Sequence, residues 1–242
     1  MTMTAAQLPP VAQPAAPAIL RRWHRRYYIQ RLLVDHYRAT IQKNLAGRSG
    51  LTLIDFGCGD MPYRALFAPQ VSRYIAADLP GNPAATALIT AEGRLNLPDA
   101  SADLVLSSQV LEHVADPALY LSECSRVLKS GGRLFLSTHG SWWYHPHPTD
   151  YWRWTGQGLQ KTLRDAGFDQ VELVGLMGLA AGGIYLFQDG VFRHLPRFLR
   201  SPFYLFTQAA AALADRLHTD EDRRRDAAVY LTYSIKPDAS CE

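Results

Sequence analysis

A short apolar run ending in two glycines one residue apart, Leu51 to Gly59 of LTLIDFGCGD, is the feature that most limits how this chain can fold. Such a run suits a strand buried on both faces of a parallel sheet. Glycine directly after it supplies positive φ and a backbone surface without Cβ, against which a ligand can lie. In an open α/β sheet that loop sits at the carboxyl end of its strand, where ligands bind. The pattern is not the G-x-G-x-x-G of nicotinamide-binding folds, because Asp60-Met61-Pro62 follows the second glycine and no third one comes. Asp55 and Asp60 would repel a phosphate and attract a cationic ammonium group. Nineteen residues after Gly59 stands Asp78, at the end of a second apolar run, YIAADLP. A carboxylate there can accept both hydroxyl hydrogens of a ribose.

Further strand-like runs are ADLVLSS from Ala102, GRLFLSTHG from Gly132, VELVG from Val171 and VYLTYSI from Val229. Between them lie helical patterns. One starts near Pro117 and is closed by Gly131-Gly132; the other is capped by Thr155 and ends at Gly167. The alternation predicts an α/β sheet with helices on both faces. About fifty residues separate the last two strands, where a tight connection needs only a few, so residues 176–225 read as a helical insertion. Residues 19–46, rich in arginine and aromatics, read as a helix whose apolar face includes Leu33, Tyr37 and Ile41. Tyr27, Tyr28 and Arg25 make it a candidate lid. Residues 1–18 read as a disordered leader and 47–242 as the main domain. Apolar stretches at 173–187 and 203–213 fall short of the ~18–20 residues of a spanning helix. They read as a buried helical pair. The sharper alternative is a hairpin that touches a membrane surface or forms a homodimer, with Arg193, His194, Arg197 and Arg200 between the stretches.

Composition narrows the function classes. A hydrophobic share of 48% in 242 residues supports a sizeable core. A net charge of +3 is too mild to argue for nucleic acid. Three cysteines without pairing or metal-like spacing, and a proline-broken leader without a basic start, point to the cytoplasm.

Together these motifs resemble the class I S-adenosylmethionine-dependent methyltransferases. LIDFGCGD is similar to their first motif, with Asp55, Gly57 and Gly59 on matching positions, and YIAADLP to their second, with Asp78 on the ribose-binding acid. RLNLPDASADLVLSSQVLEHVADP and LKSGGRLFLSTHG resemble their central stretches, so the likeness runs from Leu51 to Phe168. Two positions depart: many members carry a third glycine, and an Asp before the Leu-Pro pair, where this chain's nearest acid is Glu92. The resemblance implies a Rossmann-like sheet, mostly parallel with an antiparallel last strand. It implies S-adenosyl-L-methionine as cofactor and S-adenosyl-L-homocysteine as product. Asp55 or Asp60 would then hold the methionine ammonium, Asp78 with Leu79 the ribose, Glu92 and Gly93 the adenine, and Ser108 and Gln109 the sulfonium end.

Four of the eight histidines lie between His113 and His147, and four of the five tryptophans between Trp142 and Trp154. The segment GSWWYHPHPTDYWRWT follows a strand and so reaches the cofactor crevice. Aromatic rings suit a sugar's C–H face or an aromatic acceptor. Trp142, Trp143, Tyr151, Arg153 and His113 are candidate acceptor contacts. Trp152 and Trp154 read equally as core, and Arg153 as the partner of Asp150. The stretch His145 to Phe168 also resembles a narrower methyltransferase group associated with polysaccharide biosynthesis. A sugar hydroxyl needs a proton acceptor as the C–O bond forms, and a histidine titrating near neutrality serves. His147 or His145 is the expected base, oriented by Asp150; a metal held by these residues ranks below that role, and none is assigned. The rival readings are an O- or N-methyltransferase of a small natural product and a non-catalytic nucleoside-binding module.

Overall fold

The computed structural model describes residues 20–146 and 148–238; the leader at 1–18, His147 and Cys241 lie outside them. Its strands are β1 (Leu51–Phe56), β2 (Val71–Asp78), β3 (Ala87–Leu88), β4 (Ala102–Ser108), β5 (Leu128–His139), β6 (Asp169–Gly178) and β7 (Ala227–Ile235). They form one sheet in the order β3-β2-β1-β4-β5-β7-β6. Neighbours from β3 to β5 are parallel, and β7 runs antiparallel to both β5 and β6. This is the Rossmann-like sheet with an antiparallel last strand expected above.

Alternate residues of the central strands feed two separate cores, as a pleated strand covered on both sides requires. On one face Ile54, Val105, Leu134 and Leu136 pack with α3 (Pro117–Val127) and α4 (Gly156–Asp165). Asp116 and Thr155 cap these helices, each side chain accepting a backbone N–H of the first turn. On the other face Leu53, Leu104, Leu106 and Phe135 pack with α1 (Tyr27–Leu45), the single turn α2 (Arg64–Phe67), α5 (Leu179–Val191) and α6 (Arg197–Ala214). A capped turn, α7 (Asp220–Arg225), returns the chain to β7. Its carbonyls come so close to β6 that a Cβ on Gly175 would lie 1.8 Å from the Arg223 oxygen, so only glycine fits there.

Three sequence expectations change, and one strand is added. The stretch 173–187 is not one helical element: β6 runs to Gly178 and α5 starts at Leu179, because an apolar run without period does not distinguish strand from buried helix. Gly131-Gly132 lies inside β5 instead of closing α3, whose chain enters the strand directly at Leu128. Helix α1 starts at Tyr27, after turns over residues 21–26. A two-residue strand at Ala87–Leu88 extends the sheet edge, too short to carry a pattern.

Candidate functional site

The glycine loop folds back on the end of β2. The N–H groups of Gly57 and Cys58 both donate to the Ala77 carbonyl, at 2.8 and 3.0 Å. Gly57 adopts φ +82°, and a Cβ on it would sit 2.5 Å from Cγ2 of Val110, so backbone conformation and space both demand glycine. Across the crevice Gln109, a non-glycine residue, holds φ +57° at the end of β4, with its N–H on the Ser137 carbonyl. Left-handed backbone outside glycine is costly and concentrates at functional sites.

Between these loops lies a cavity of about 580 Å³, lined by Gly57, Gly59, Asp78, Leu79, Glu92, Gly93, Gln109 and His113, among others. That size suits a small-molecule ligand. Asp78 closes one end: its carboxylate accepts the N–H groups of Gly59 (2.9 Å) and Leu79 (2.8 Å) and the Asn82 amide (2.6 Å). The side chains on the wall include Asp78, Glu92 and Asp116, and no lysine or arginine among the described residues. A cationic nucleoside fits such a wall, and a polyphosphate does not.

Asp55, Asp60 and Ser108, all expected at the cofactor, are not among the lining residues. Asp55 is buried below the loop and accepts a hydrogen bond from the Tyr74 hydroxyl. Burial pushes its carboxyl up to about 7, against the Tyr74 bond that lowers it. Asp60 is exposed. Ser108 pairs with Ser137 at 3.1 Å. Burial beside Asp55 and Asp78 pushes the Cys58 thiol up to about 12, which keeps it protonated. Helix α1 lies against the sheet, where Tyr37 donates to Ser137 at 3.0 Å, and contributes nothing to the cavity wall; the expected lid is a sheet-covering helix.

The cavity opens beside a cluster of rings. The His145 ring centre lies 5.6 Å from that of His113 and 5.8 Å from that of His139. Beneath them the fully buried Glu112 accepts from the Thr138 hydroxyl at 2.8 Å and lies 3.1 Å from Nδ1 of His139. That close approach is not aligned as a hydrogen bond, and both atoms are otherwise without partners. Burial pushes the Glu112 carboxyl up to about 7, in spite of the Thr138 bond. Burial, then the charges of Arg153, His145 and His113, hold His139 well below the usual imidazole range. His139 is therefore neutral near pH 7, and Glu112 keeps its proton through the range where an ordinary carboxyl has lost it. Nδ1 of His113 bonds the Thr149 carbonyl, so that nitrogen carries the hydrogen. In the neutral ring Nε2 is left as an acceptor, 3.9 Å from Glu112.

Arg153 organises the loop around this cluster. Its five N–H groups go to Asp150 (2.6 Å twice) and to the carbonyls of Trp142 (3.0 Å), Trp143 (2.5 Å) and Trp152 (2.7 Å). No donor remains for an acceptor molecule, which corrects its expected role as a substrate fork. Asp150 is likewise committed, to Arg153 and to the backbone N–H of His145 at 2.7 Å. It fixes the loop backbone, where the sequence suggested a grip on a histidine ring. Burial pushes its carboxyl up, but the Arg153 fork and the His145 amide outweigh this and bring it down to about 2. Trp142 stacks between His139 (4.9 Å) and Trp143 (4.0 Å), and Arg26 covers Trp143 at 5.8 Å. Both tryptophans are half-buried against the core. Tyr151 is exposed, with its backbone N–H on the Glu112 carbonyl at 2.8 Å. Among the described residues no group of three or more His, Cys, Asp or Glu is placed to hold a metal ion.

Glu112 and His139 escaped the sequence reading. His139 had a usable signal, since the last residue of a parallel strand faces the ligand crevice. Glu112, between Leu111 and His113, had none.

The family model for a methyltransferase domain matches residues 54–136. A probable S-adenosylmethionine-dependent methyltransferase of Mycobacterium tuberculosis is 30% identical over 188 residues, 69% of this chain and 68% of that protein. The chain belongs to the S-adenosylmethionine-dependent methyltransferases. It is also similar to a ubiquinone biosynthesis O-methyltransferase of Cereibacter sphaeroides, 32% identical over 158 residues, 53% of this chain and 64% of that one. Among solved structures, phosphoethanolamine N-methyltransferase 2 of Haemonchus contortus, crystallised with S-adenosyl-L-methionine, gives a TM-score of 0.55 at 16% identity over 84% of this chain and 52% of that chain. A methyltransferase in complex with the Haloferax volcanii Trm112 activator gives 0.53 at 20% identity, over 86% and 94%. These likenesses carry the fold. The methyltransferase's cofactor is S-adenosylmethionine, and the glycine cradle and cation-free acidic wall fit it. No described helix is long and apolar enough to cross a membrane.

Proposed function

We propose that this methyltransferase transfers the methyl group to a hydroxyl, with His113 as the proton acceptor. The observation that carries the reading is the fixed tautomer of His113. Its Nδ1 is committed to the Thr149 carbonyl, and its ring lies on the wall of the cofactor cavity. In the neutral ring Nε2 is thus the acceptor, 3.9 Å from the buried Glu112 carboxyl. Bound S-adenosylmethionine supplies an electrophilic methyl on its sulfonium; the residues orient the hydroxyl, exclude water and take its proton. Orientation matters most in such an in-line displacement. Asp78 and the Gly57–Gly59 backbone hold the nucleoside end, and Glu92 and Gly93 the base. His145 completes the ring cluster as a contact to the acceptor; we place the base at His113, where the sequence pointed to His145 or to His147, which lies outside the described residues.

The acceptor we propose is a sugar hydroxyl of a glycan or nucleotide sugar. Tyr144, Tyr151 and Trp152 support this, since they leave aromatic faces exposed beside the ring cluster, as does the resemblance of His145 to Phe168 to the polysaccharide-associated group. A phenolic acceptor is the second reading, favoured by the similarity to ubiquinone biosynthesis O-methyltransferases. Residues 47–242 are proposed as one catalytic domain, working in the cytoplasm.

His113→Ala should lower kcat by ~10²–10⁴-fold with S-adenosylmethionine affinity retained, and His145→Ala should cost less. Turnover unchanged in His113→Ala, or a larger loss in His145→Ala, would overturn the assignment.

A further inference from the structure

We infer that the α5–α6 hairpin is a docking surface for an anionic lipid bilayer, on which the protein lies without spanning it. The inference stands apart from the choice of acceptor and base.

The hairpin is built inside out for a helix pair facing water. Its amide side chains Gln188 and Gln208, and Thr207 with them, point inward. Gln188 accepts from Thr207 (2.6 Å) and Gln208 (2.8 Å), and both glutamines donate to the Arg25 carbonyl. Its outward positions are apolar. On α5 these are Leu179, Leu186 and Phe187. On α6 Phe198, Leu205, Phe206 and Leu213 recur at helical spacing, and Phe198 and Phe206 are 78% and 71% exposed. Contiguous apolar surface of this kind marks an interaction site.

The charge around it says which partner fits. Residues 179–214 contain one acid, Asp189, against Arg193, Arg197 and Arg200. Asp189 is already matched by Arg25 at 3.7 Å. At the hairpin tip Arg25, Arg193 and Arg200 converge on the Phe192 ring, 5.2, 6.0 and 5.9 Å from its centre. Beside it Trp23 is exposed with Arg21 over its ring at 5.5 Å. An apolar face bordered by arginines and a tryptophan is the surface that settles into the headgroup region of an anionic membrane. Each arginine there strengthens binding about fivefold. No described helix is long and apolar enough to cross the bilayer, so the hairpin lies in its plane.

The test is flotation of the full chain with vesicles of phosphatidylcholine alone and of phosphatidylcholine mixed with phosphatidylglycerol, at low and raised salt. Light scattering is run alongside. The expected result is flotation with the mixed vesicles, weakened by salt, and little with the neutral ones. The triple change Phe187→Ser, Leu205→Ser, Phe206→Ser should weaken it tenfold or more. Arg193→Glu with Arg197→Glu leaves the apolar face intact and should abolish the preference for anionic lipid. All of these residues are outside the cofactor site, so unchanged S-adenosylmethionine affinity certifies the fold of each variant. Absence of flotation with either vesicle, or unchanged flotation of both variants, would overturn the inference. So would a stable dimer that the serine variant splits, without flotation, because the face would then join two copies of this chain.

Discussion

At Gly57 a single hydrogen decides whether the cofactor cradle exists. Gly57→Ala forces a side chain into positive φ and against Val110, and should weaken S-adenosylmethionine binding by about tenfold or more. Calorimetric titration checks this, and Val110→Ala in the same chain should restore part of the loss by vacating the space the new Cβ meets. Glu112 is the second informative residue. A carboxyl raised to about 7 in the fold keeps its proton where the unfolded chain has lost it. Stability therefore falls as pH rises from the ordinary carboxylate range toward about 7, by on the order of 3 kcal/mol for one such group, and is flat above. Asp55, raised to the same region, adds to that slope. Asp150 acts oppositely, with stability that is lost only as pH falls toward about 2. Denaturant melts at about pH 5 and about pH 8 should show a smaller decline for Glu112→Gln than for the unaltered chain; an equal decline would place the charge of Glu112 elsewhere. Gly57, Gly59 and Asp78 were legible in the sequence because their chemistry is local: a turn, a close approach, an acid at a strand end. The pairing of Arg153 with Asp150, three residues away, was legible as well; the fate of Asp55 and the other partners of Arg153 were not, because they are set by the fold, Tyr74 across a strand pair and three carbonyls across a loop.

Among the elements, α1 and the insertion act as one unit. The start of α1 has no side-chain cap of its own. Gln208 supplies one from α6: its oxygen accepts from the Tyr28 N–H at 2.8 Å and from the Tyr185 hydroxyl, and its amide reaches the Arg25 carbonyl at 2.8 Å and Gln188 at 2.8 Å. All its hydrogen-bonding capacity is used while buried, so Gln208→Leu leaves several groups unpaired. It should cost on the order of 2–3 kcal/mol in denaturant melts. It should also increase proteolysis near residues 21–26. A loss within a few tenths of a kcal/mol would mean that α1 is held by its apolar face alone. Apart from the two-residue β3, the strands were readable because each holds a short apolar run ended by glycine or a polar turn. The boundary between β6 and α5 was not, since Leu173 to Phe187 is apolar throughout and only pairing with β7 as far as Gly178 separates strand from helix.

At the scale of the whole molecule, strand order places the two halves of the site. β1 and β4 are adjacent, so the Gly57 loop and the Gln109–His113 turn face each other across one crevice, and β5 beside them brings His139 to the same end. The alternation of strands and helices forecast an α/β sheet covered on both faces, while its antiparallel last strand and the cofactor followed from the resemblance of the motifs between Leu51 and Phe168 to the class I methyltransferases. The acceptor side was less legible: it is assembled from β5, the Arg153-clamped loop and the turn after β4, and the meeting of those segments is a product of the tertiary fold. The most direct measurement is transfer of an isotope-labelled methyl from S-adenosylmethionine by the full chain to a panel of nucleotide sugars, glycans, phenols and amines, with His113→Ala alongside. The account predicts label on a hydroxyl of a sugar acceptor and its loss in the variant while cofactor binding persists. Label confined to amines, or equal labelling by the variant, would contradict it.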